Sequence, residues 1–190
     1  IKSRELRVLV NFTSIEVDCF EGGLLLANGG SATIKNSELR FVEFINVGAI
    51  RIYNATISYL GEMNIRSIGN LSISNSTINT YYGGIITNIA FLNITNCIIN
   101  TTYTYGGYVI RDSGSVYLAK NTISESDFQI INVTNLALSN NLMIDIFSSF
   151  EEIENLTLSN NTFYAELEFS DITHLYQWNN TIYNTELIVI

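Results

Sequence analysis

Ten asparagines of this chain stand in Asn-X-Ser/Thr triplets: Asn11, Asn54, Asn70, Asn75, Asn93, Asn100, Asn132, Asn155, Asn160 and Asn179. In an exported protein such a triplet accepts an N-linked sugar, which bonds to the side-chain amide nitrogen. Acid–base chemistry finds less support. Cleaving a glycosidic bond takes two carboxylates flanking it, and the acidic residues Asp112, Asp127, Asp145, Asp171 and the run Glu151-Glu152-Glu154 are thinly spread. Arg111-Asp112 reads as a surface pair beside a loop, and the Glu run as a solvated bend. The single His174 reads as a corner residue, neither base nor ligand. Cys19 and Cys97 are too few for a disulfide framework and lack metal-ligand spacing. They read as small, semi-buried residues, with an intermolecular bridge as the alternative. Paired glycines at 22-23, 29-30, 83-84 and 106-107 suit tight corners and make no phosphate loop. Tyr81-Tyr82 and Tyr103, Tyr105 and Tyr108 flank two of these pairs, and read as a packed or half-exposed face before an aromatic strip for sugars. No catalytic residue, metal ligand or cofactor is expected, and the chain is read as a non-enzyme.

Composition narrows the partners. The 190 residues are 47% apolar, enough for a sizeable core, yet only 14% charged, with a net charge of −9. Nucleic acid and anionic membranes are bound by clustered Lys and Arg, and the nine such residues here are scattered. Neither nucleic-acid binding nor membrane insertion is expected, since no apolar run approaches the length of a membrane span. Polarity comes instead from Asn, Ser and Thr, with 24 asparagines beside 28 isoleucines. Proline is absent, which suits a chain whose backbone must pair continuously. The sequence opens without Met or a signal peptide, as a mature chain or excised fragment would.

A repeat positions these residues. The unit is apolar, any, apolar, any, Asn, small, often Thr, apolar. It reads TIKNSEL (33–39), RIYNATI (51–57), SISNSTI (72–78), NITNCII (93–99), YLAKNTI (117–123), ALSNNLM (137–143), TLSNNTF (157–163) and YQWNNTI (176–182). The fifth position is Asn36, Asn54, Asn75, Asn96, Lys120, Asn140, Asn160 and Asn179, at steps of 18 to 24 residues. A period near 20 marks a solenoid with one coil per repeat. Leucine-rich repeats share that period, but Ile, Val, Thr and Tyr dominate here and no stretch has helical periodicity, so strands throughout fit better. Further alternating segments precede each unit, among them FINVG (44–48), IRSIG (65–69) and IINVT (130–134). The predicted fold is all-β: a single-domain parallel β-helix of eight to nine coils, with a lead-in strand or first coil over 1–14, repeat coils over 15–184 and a terminal strand over 185–190.

These LxIxNNxI units resemble the right-handed, pectate-lyase-like parallel β-helix superfamily over roughly residues 15–190. The resemblance implies the fold and leaves activity open, because lyases, tailspikes, adhesins and archaeal surface proteins share the pattern. It implies a non-enzymatic surface or filament type here, since the clustered Asp with Arg or Lys of the lyase branch is missing. The Ile/Tyr/Asn/Thr-rich, proline-free character resembles surface proteins of thermophilic archaea.

Strand alternation then assigns the asparagines. Counting from Leu156 and Leu158, Asn160 falls on the inward face. Asn36, Asn54, Asn75, Asn96, Asn140, Asn160 and Asn179 are therefore expected as an inward ladder joining coil to coil. Lys120 interrupts it, and a local bulge there puts Asn121 into the slot. The triplets at Asn54, Asn75, Asn160 and Asn179 are accordingly read as structural. Asn93 (Leu92-Asn93-Ile94) and Asn132 (Ile131-Asn132-Val133) lie between core-facing aliphatics, point outward and are the leading glycosylation candidates. Asn11 and Asn100 are read as similarly exposed, and Asn70 and Asn155 as sharing another corner.

The chain opens on Val8, Val10 and Phe12 and closes on Leu187, Ile188, Val189 and Ile190, strand-like and apolar with no amphipathic cap. Either the chain continues into neighbouring domains, or such ends, with core and backbone unpaired, meet other subunits, where head-to-tail contact builds a filament. The expected function is structural: a glycosylated, secreted subunit of a cell-surface filament or layer that self-associates through these ends. The alternative is an adhesin or tailspike-like module binding polysaccharide, with a polysaccharide lyase third.

Overall fold

A computed structural model describes residues 5–8, 12–59, 63–101, 107–124, 127–183 and 187–189. Among them are sixteen β-strands and no helix, and every strand pairing is parallel within one wound sheet. Each coil pairs with the coil before and the coil after. Ile94, for example, lies between Ile73 and Leu118. This is the expected parallel β-solenoid.

The shape of a coil is set by two bends in the left-handed region of the backbone map. One series is Cys19, Asn36, Asn54, Asn75, Asn96, Lys120, Asn140, Asn160 and Asn179; the other is Asn28, Asn46, Ser67, Asn88, Asp112, Asn132, Glu152 and Asp171. All lie at φ between 49° and 58°, where an L-residue other than Asn or Asp is strained by about 1–2 kcal/mol. From Asn36 onward each member of the first series follows its partner in the second by eight positions, as Ser67 to Asn75 or Asp112 to Lys120. The opposite arc runs from nine positions, Cys19 to Asn28, to sixteen, Asn96 to Asp112. All variation in repeat length therefore falls on that arc. In the longest coil it falls between strands Ile98–Thr101 and Gly107–Ala119.

Inside, the alternating apolar residues form continuous columns. Ile34, Ile52, Ile73, Ile94, Leu118 and Leu138 stack in register and are buried, as are Leu39, Ile57, Ile78, Ile99, Ile123, Met143 and Phe163. β-Branched side chains dominate because they pack well on a pleated surface. Full burial of each Ile or Leu contributes about 1.5–3 kcal/mol, which lets the narrow interior hold without helices.

An asparagine ladder is present, one residue later than alternation counting places it. The fifth-position residues Asn36, Asn54, Asn75, Asn96, Asn140, Asn160 and Asn179 are exposed. The left-handed bend swings each of them out and turns its successor in. The buried rungs are Asn121, Asn141 and Asn161, followed by half-buried Asn180. Asn141 Oδ1 accepts from Asn121 N–H at 2.9 Å, while its Nδ2 donates to Leu118 O at 2.7 Å and Asn161 Oδ1 at 3.1 Å. Asn121 and Asn161 bind likewise, Asn121 Oδ1 taking Cys97 N–H at 2.9 Å. Ser37, Ser76 and Cys97 occupy the same slot in earlier coils; Ser76 Oγ accepts from Ala55 N–H at 3.2 Å and donates to Ser74 O at 2.7 Å. No bulge is needed at Lys120, which sits in the ordinary bend at φ 57°.

Two stability changes follow, both read by urea denaturation. Asn141→Ala strands a buried N–H on Asn121 and a carbonyl on Leu118, and is expected to cost about 2–4 kcal/mol. Lys120→Asn relieves backbone strain without touching the core and is expected to stabilise by up to about 1 kcal/mol. A neutral Asn141→Ala would remove the ladder as a stabilising element.

Candidate functional site

The glycosylation candidates occupy distinct surroundings. Asn93 lies in the strand Gly83–Thr95, outward and half-buried, with buried Leu92 and Ile94 on either side. Its register partners are Ser72 and Tyr117, and its amide makes no hydrogen bond to a described residue. Asn132 is exposed, as expected, for a different reason. Ile131 is half-buried on the outer surface, and Asn132 is itself a left-handed bend (φ 54°) whose Nδ2 donates to Asp112 Oδ1 at 2.8 Å.

Asn70 and Asn155 do share a column, with Phe91, Ser115, Asn135 and His174. As expected, this column lies at a corner: alternation breaks there, with Gly69 and Asn70 both outward between buried Ile68 and Leu71, and Glu154 and Asn155 likewise between buried Ile153 and Leu156. Asn70 is exposed; Asn155 is half-buried and donates to Asn135 Oδ1 at 3.1 Å. Asn100 departs from its expected exposure: it is half-buried, and its Oδ1 is enclosed without a hydrogen-bond partner. Asn11 lies outside the described residues. The structural reading of Asn54, Asn75, Asn160 and Asn179 loses its premise of burial, because all four residues are exposed, yet Asn75 does bond coil to coil, its Oδ1 accepting from Asn96 Nδ2 at 3.1 Å.

At the ends, Leu6 and Val8 are partly buried against the core, with Val8 in register with Leu26. Phe12 packs so closely on Gly29 that a Cβ there has no room. Leu187, Ile188 and Val189 pair with Leu167, Glu168 and Phe169, while Val10 and Ile190 lie outside the described residues. The last full coil leaves apolar side chains open. Leu175, in the column of buried Leu156, is 48% exposed, and Ile182, in the column of buried Phe163, is 42% exposed. Tyr164 and Tyr183 stack beside them at 4.6 Å.

The remaining candidates separate in space. Asp112 is an exposed bend residue with Arg111 Nε at 3.8 Å, a surface pair as expected. Glu152 is the equivalent bend one coil beyond Asn132. Among the described residues no three His, Cys, Asp or Glu side chains gather to hold a metal. Both cysteines are free thiols. Cys19 is exposed and hydrogen-bonded to Asp18 Oδ1, which raises its pKa; burial raises that of Cys97, in the ladder slot. Neither is poised as a thiolate nucleophile. Of the tyrosine group, Tyr103 and Tyr105 lie outside the described residues. Tyr108 packs into the core, its hydroxyl paired with Thr80 Oγ1 at 2.9 Å and donating to Asn100 O at 3.0 Å.

What alternation counting missed is the second series of bends. Its signal is an Asn, Asp, Ser or Glu eight positions before each repeat asparagine, and these side chains bond along the surface, as Asn46 Nδ2 does to Asn28 Oδ1 at 3.1 Å. One open concavity lies on the face between the two series, a trough of about 480 Å³ bordered by Arg51, Asn70, Ser72, Phe91 and Asn93. Phe91 forms its aromatic wall and packs in turn against Tyr117 of the next coil, ring centroids 5.3 Å apart. Compared with protein-family models, curated proteins and solved structures, the chain matches none.

Burial pushes the Tyr108 phenol up to about 12, against about 10 for a free tyrosine. The unfolded chain ionises first, so this contribution to stability is complete below pH 10 and is lost as pH rises towards 12. Relative to wild type, Tyr108→Phe is expected to be weaker by about 1 kcal/mol at pH 9. It should also lose roughly 2 kcal/mol less stability between pH 10 and 12. Parallel pH slopes in urea melts of the two proteins would exclude this role for Tyr108.

Proposed function

We propose that this chain is a structural, secreted subunit of a glycosylated cell-surface filament or layer, extended by stacking solenoid ends. The observation that carries this reading is the open apolar end of the last full coil. Leu175 and Ile182 continue core columns whose members are buried from Ala32 to Leu156 and from Leu39 to Phe163. A further coil in register covers both and continues the same pleated packing, and either the continuing chain or, as proposed, a neighbouring subunit can supply it. Contact between two unlike ends does not close on itself, so it propagates. The non-enzymatic branch of the pectate-lyase-like β-helices, and within it the archaeal surface proteins, is the kinship this reading favours. The many Asn-X-Thr triplets with outward amides suit an exported glycoprotein. The alternative, a polysaccharide-binding adhesin or tailspike-like module, leaned on the tyrosine group; Tyr108 of that group faces the core.

Negative-stain microscopy and sedimentation across a concentration series test this reading. One eight-coil solenoid is about 40 Å long, and the wild type is expected to form rods several times that length. The Leu175→Asp/Ile182→Asp double variant should retain its β circular dichroism and remain as single rods. A wild type that stays monomeric at every concentration removes the reading.

A further inference from the structure

We infer that the trough beside Phe91 is the seat of an N-linked glycan carried by Asn93, so that the sugar packs on the solenoid instead of projecting from it. The inference rests on the reading of the chain as an exported glycoprotein. The strand period of two places Phe91, Asn93 and Thr95 on one face, which puts an aromatic ring, the acceptor amide and the triplet threonine side by side. Tyr117 stands in register with Asn93 on the adjacent coil. Phe91 and Tyr117 are 41% and 42% exposed, with ring planes inclined at 36°, and together they form a corner next to the amide. Exposed rings carry apolar area and a negative π-face, a surface that stacks with the C–H face of a pyranose.

The rest of the trough fits the continuation of that sugar. In the coils before Asn93 the outward residues are small or polar, Ser72, Asn70 and Ala49, so the floor drops away from the aromatic wall. The volume of about 480 Å³ lies in the range of small-ligand sites. Arg51 stands in Asn93's column two coils away, about 10 Å along the stack. It is exposed and has no ion-pair partner among the described residues, and no carboxylate lines the trough. On a chain of net charge −9, such an unpaired guanidinium suits a carboxylate or sulfate on the glycan. The attached sugar is thus of a stated kind: a pyranose against Phe91 and Tyr117, followed by an acidic unit at Arg51. Attachment uses a lipid-diphosphate-linked oligosaccharide and a transferase. The Asn93 nitrogen bonds to the anomeric carbon, the bond from that carbon to the diphosphate oxygen breaks, and the amide gives one proton to a base of the transferase.

The test uses full-length protein from a host that exports and N-glycosylates it, in wild-type, Phe91→Ala and Thr95→Ala forms. Glycopeptide mass spectrometry is expected to find Asn93 occupied by a glycan with an acidic unit in the wild type and bare in Thr95→Ala. Removing the glycan should lower the wild-type Tm by about 2–4 °C and that of Phe91→Ala by less than half as much. Asn93 bare while Asn132 or Asn70 carries sugar overturns the seat and leaves the glycoprotein reading intact. Every triplet bare overturns both. An occupied Asn93 whose removal shifts wild type and Phe91→Ala equally also overturns the seat, since the sugar then makes no use of the wall. So does binding of a free acidic oligosaccharide in the trough of protein with Asn93 bare.

Discussion

Everything in this fold depends on coil-to-coil register. Each residue pairs with its counterpart in the coils before and after, at a spacing of about 4.8 Å. A bend in one coil must therefore be matched by the same bend in the next, or the ladder of backbone bonds breaks. That requirement explains why two left-handed bends recur through the described coils at a constant separation of eight. Hydrogen bonds run straight through these bends, as from Asn75 N–H to Thr95 O at 3.1 Å and from Asn140 N–H to Ser159 O at 2.9 Å. Asparagine is frequent there because its short amide tolerates the left-handed region and bonds to its neighbours along the surface. Lys120 and Glu152 hold the same conformation without that advantage, which shows that register outweighs local preference.

The sequence made the period, the strands and the core columns legible because all three follow from spacing alone. The facing of the asparagines was not legible in the same way. Alternation is a safe count only along extended backbone, and Asn160 is not extended. Passing through its left-handed bend exchanges inside and outside, so the inward amide belongs to Asn161. The doubled Asn-Asn at 140-141, 160-161 and 179-180 marks both members of this arrangement, one for the bend and one for the buried slot. The second series of bends was concealed by its chemistry, since Ser67, Asp112, Glu152 and Asp171 share a conformation and not a residue type.

The surface is organised by the same rule. Outward side chains on the eight-residue face lie in columns, so a change of size from one coil to the next becomes a step in the surface. Going from Ala49 and Asn70 to Phe91 is such a step, and it produces the trough. Asn93 was readable as outward because it sits within an extended strand. Its aromatic neighbour Tyr117 was legible as well, because NITNCII (93–99) and YLAKNTI (117–123) align Asn93 with Tyr117, and the structure pairs the two across an offset of 24 residues. Asn100 shows the converse: one position after core Ile99 it should face solvent, yet its Oδ1 is enclosed beside Tyr108, whose placement follows from the long arc.

The ladder also gives the solenoid a direction. In the coils before the long arc the slot holds Ser37, Ala55, Ser76 and Cys97, and a serine there bonds back only to its own coil's carbonyl while accepting one N–H from the coil beneath. From Asn121 onward each amide accepts that N–H and also reaches a carbonyl of the preceding coil, and Asn141 and Asn161 pair with the next amide as well. The later coils are thus joined by a continuous run of buried amides, while apolar columns are shared by all. In a one-dimensional stack, stability is a sum over neighbouring interfaces, and the earlier interfaces draw on surface pairs instead, among them Lys35–Glu16, Arg66–Glu43 and Asn96–Asn75. The amide ladder thus runs up to the coil whose apolar columns are open, and holds the shape of that coil where packing covers one side of it only.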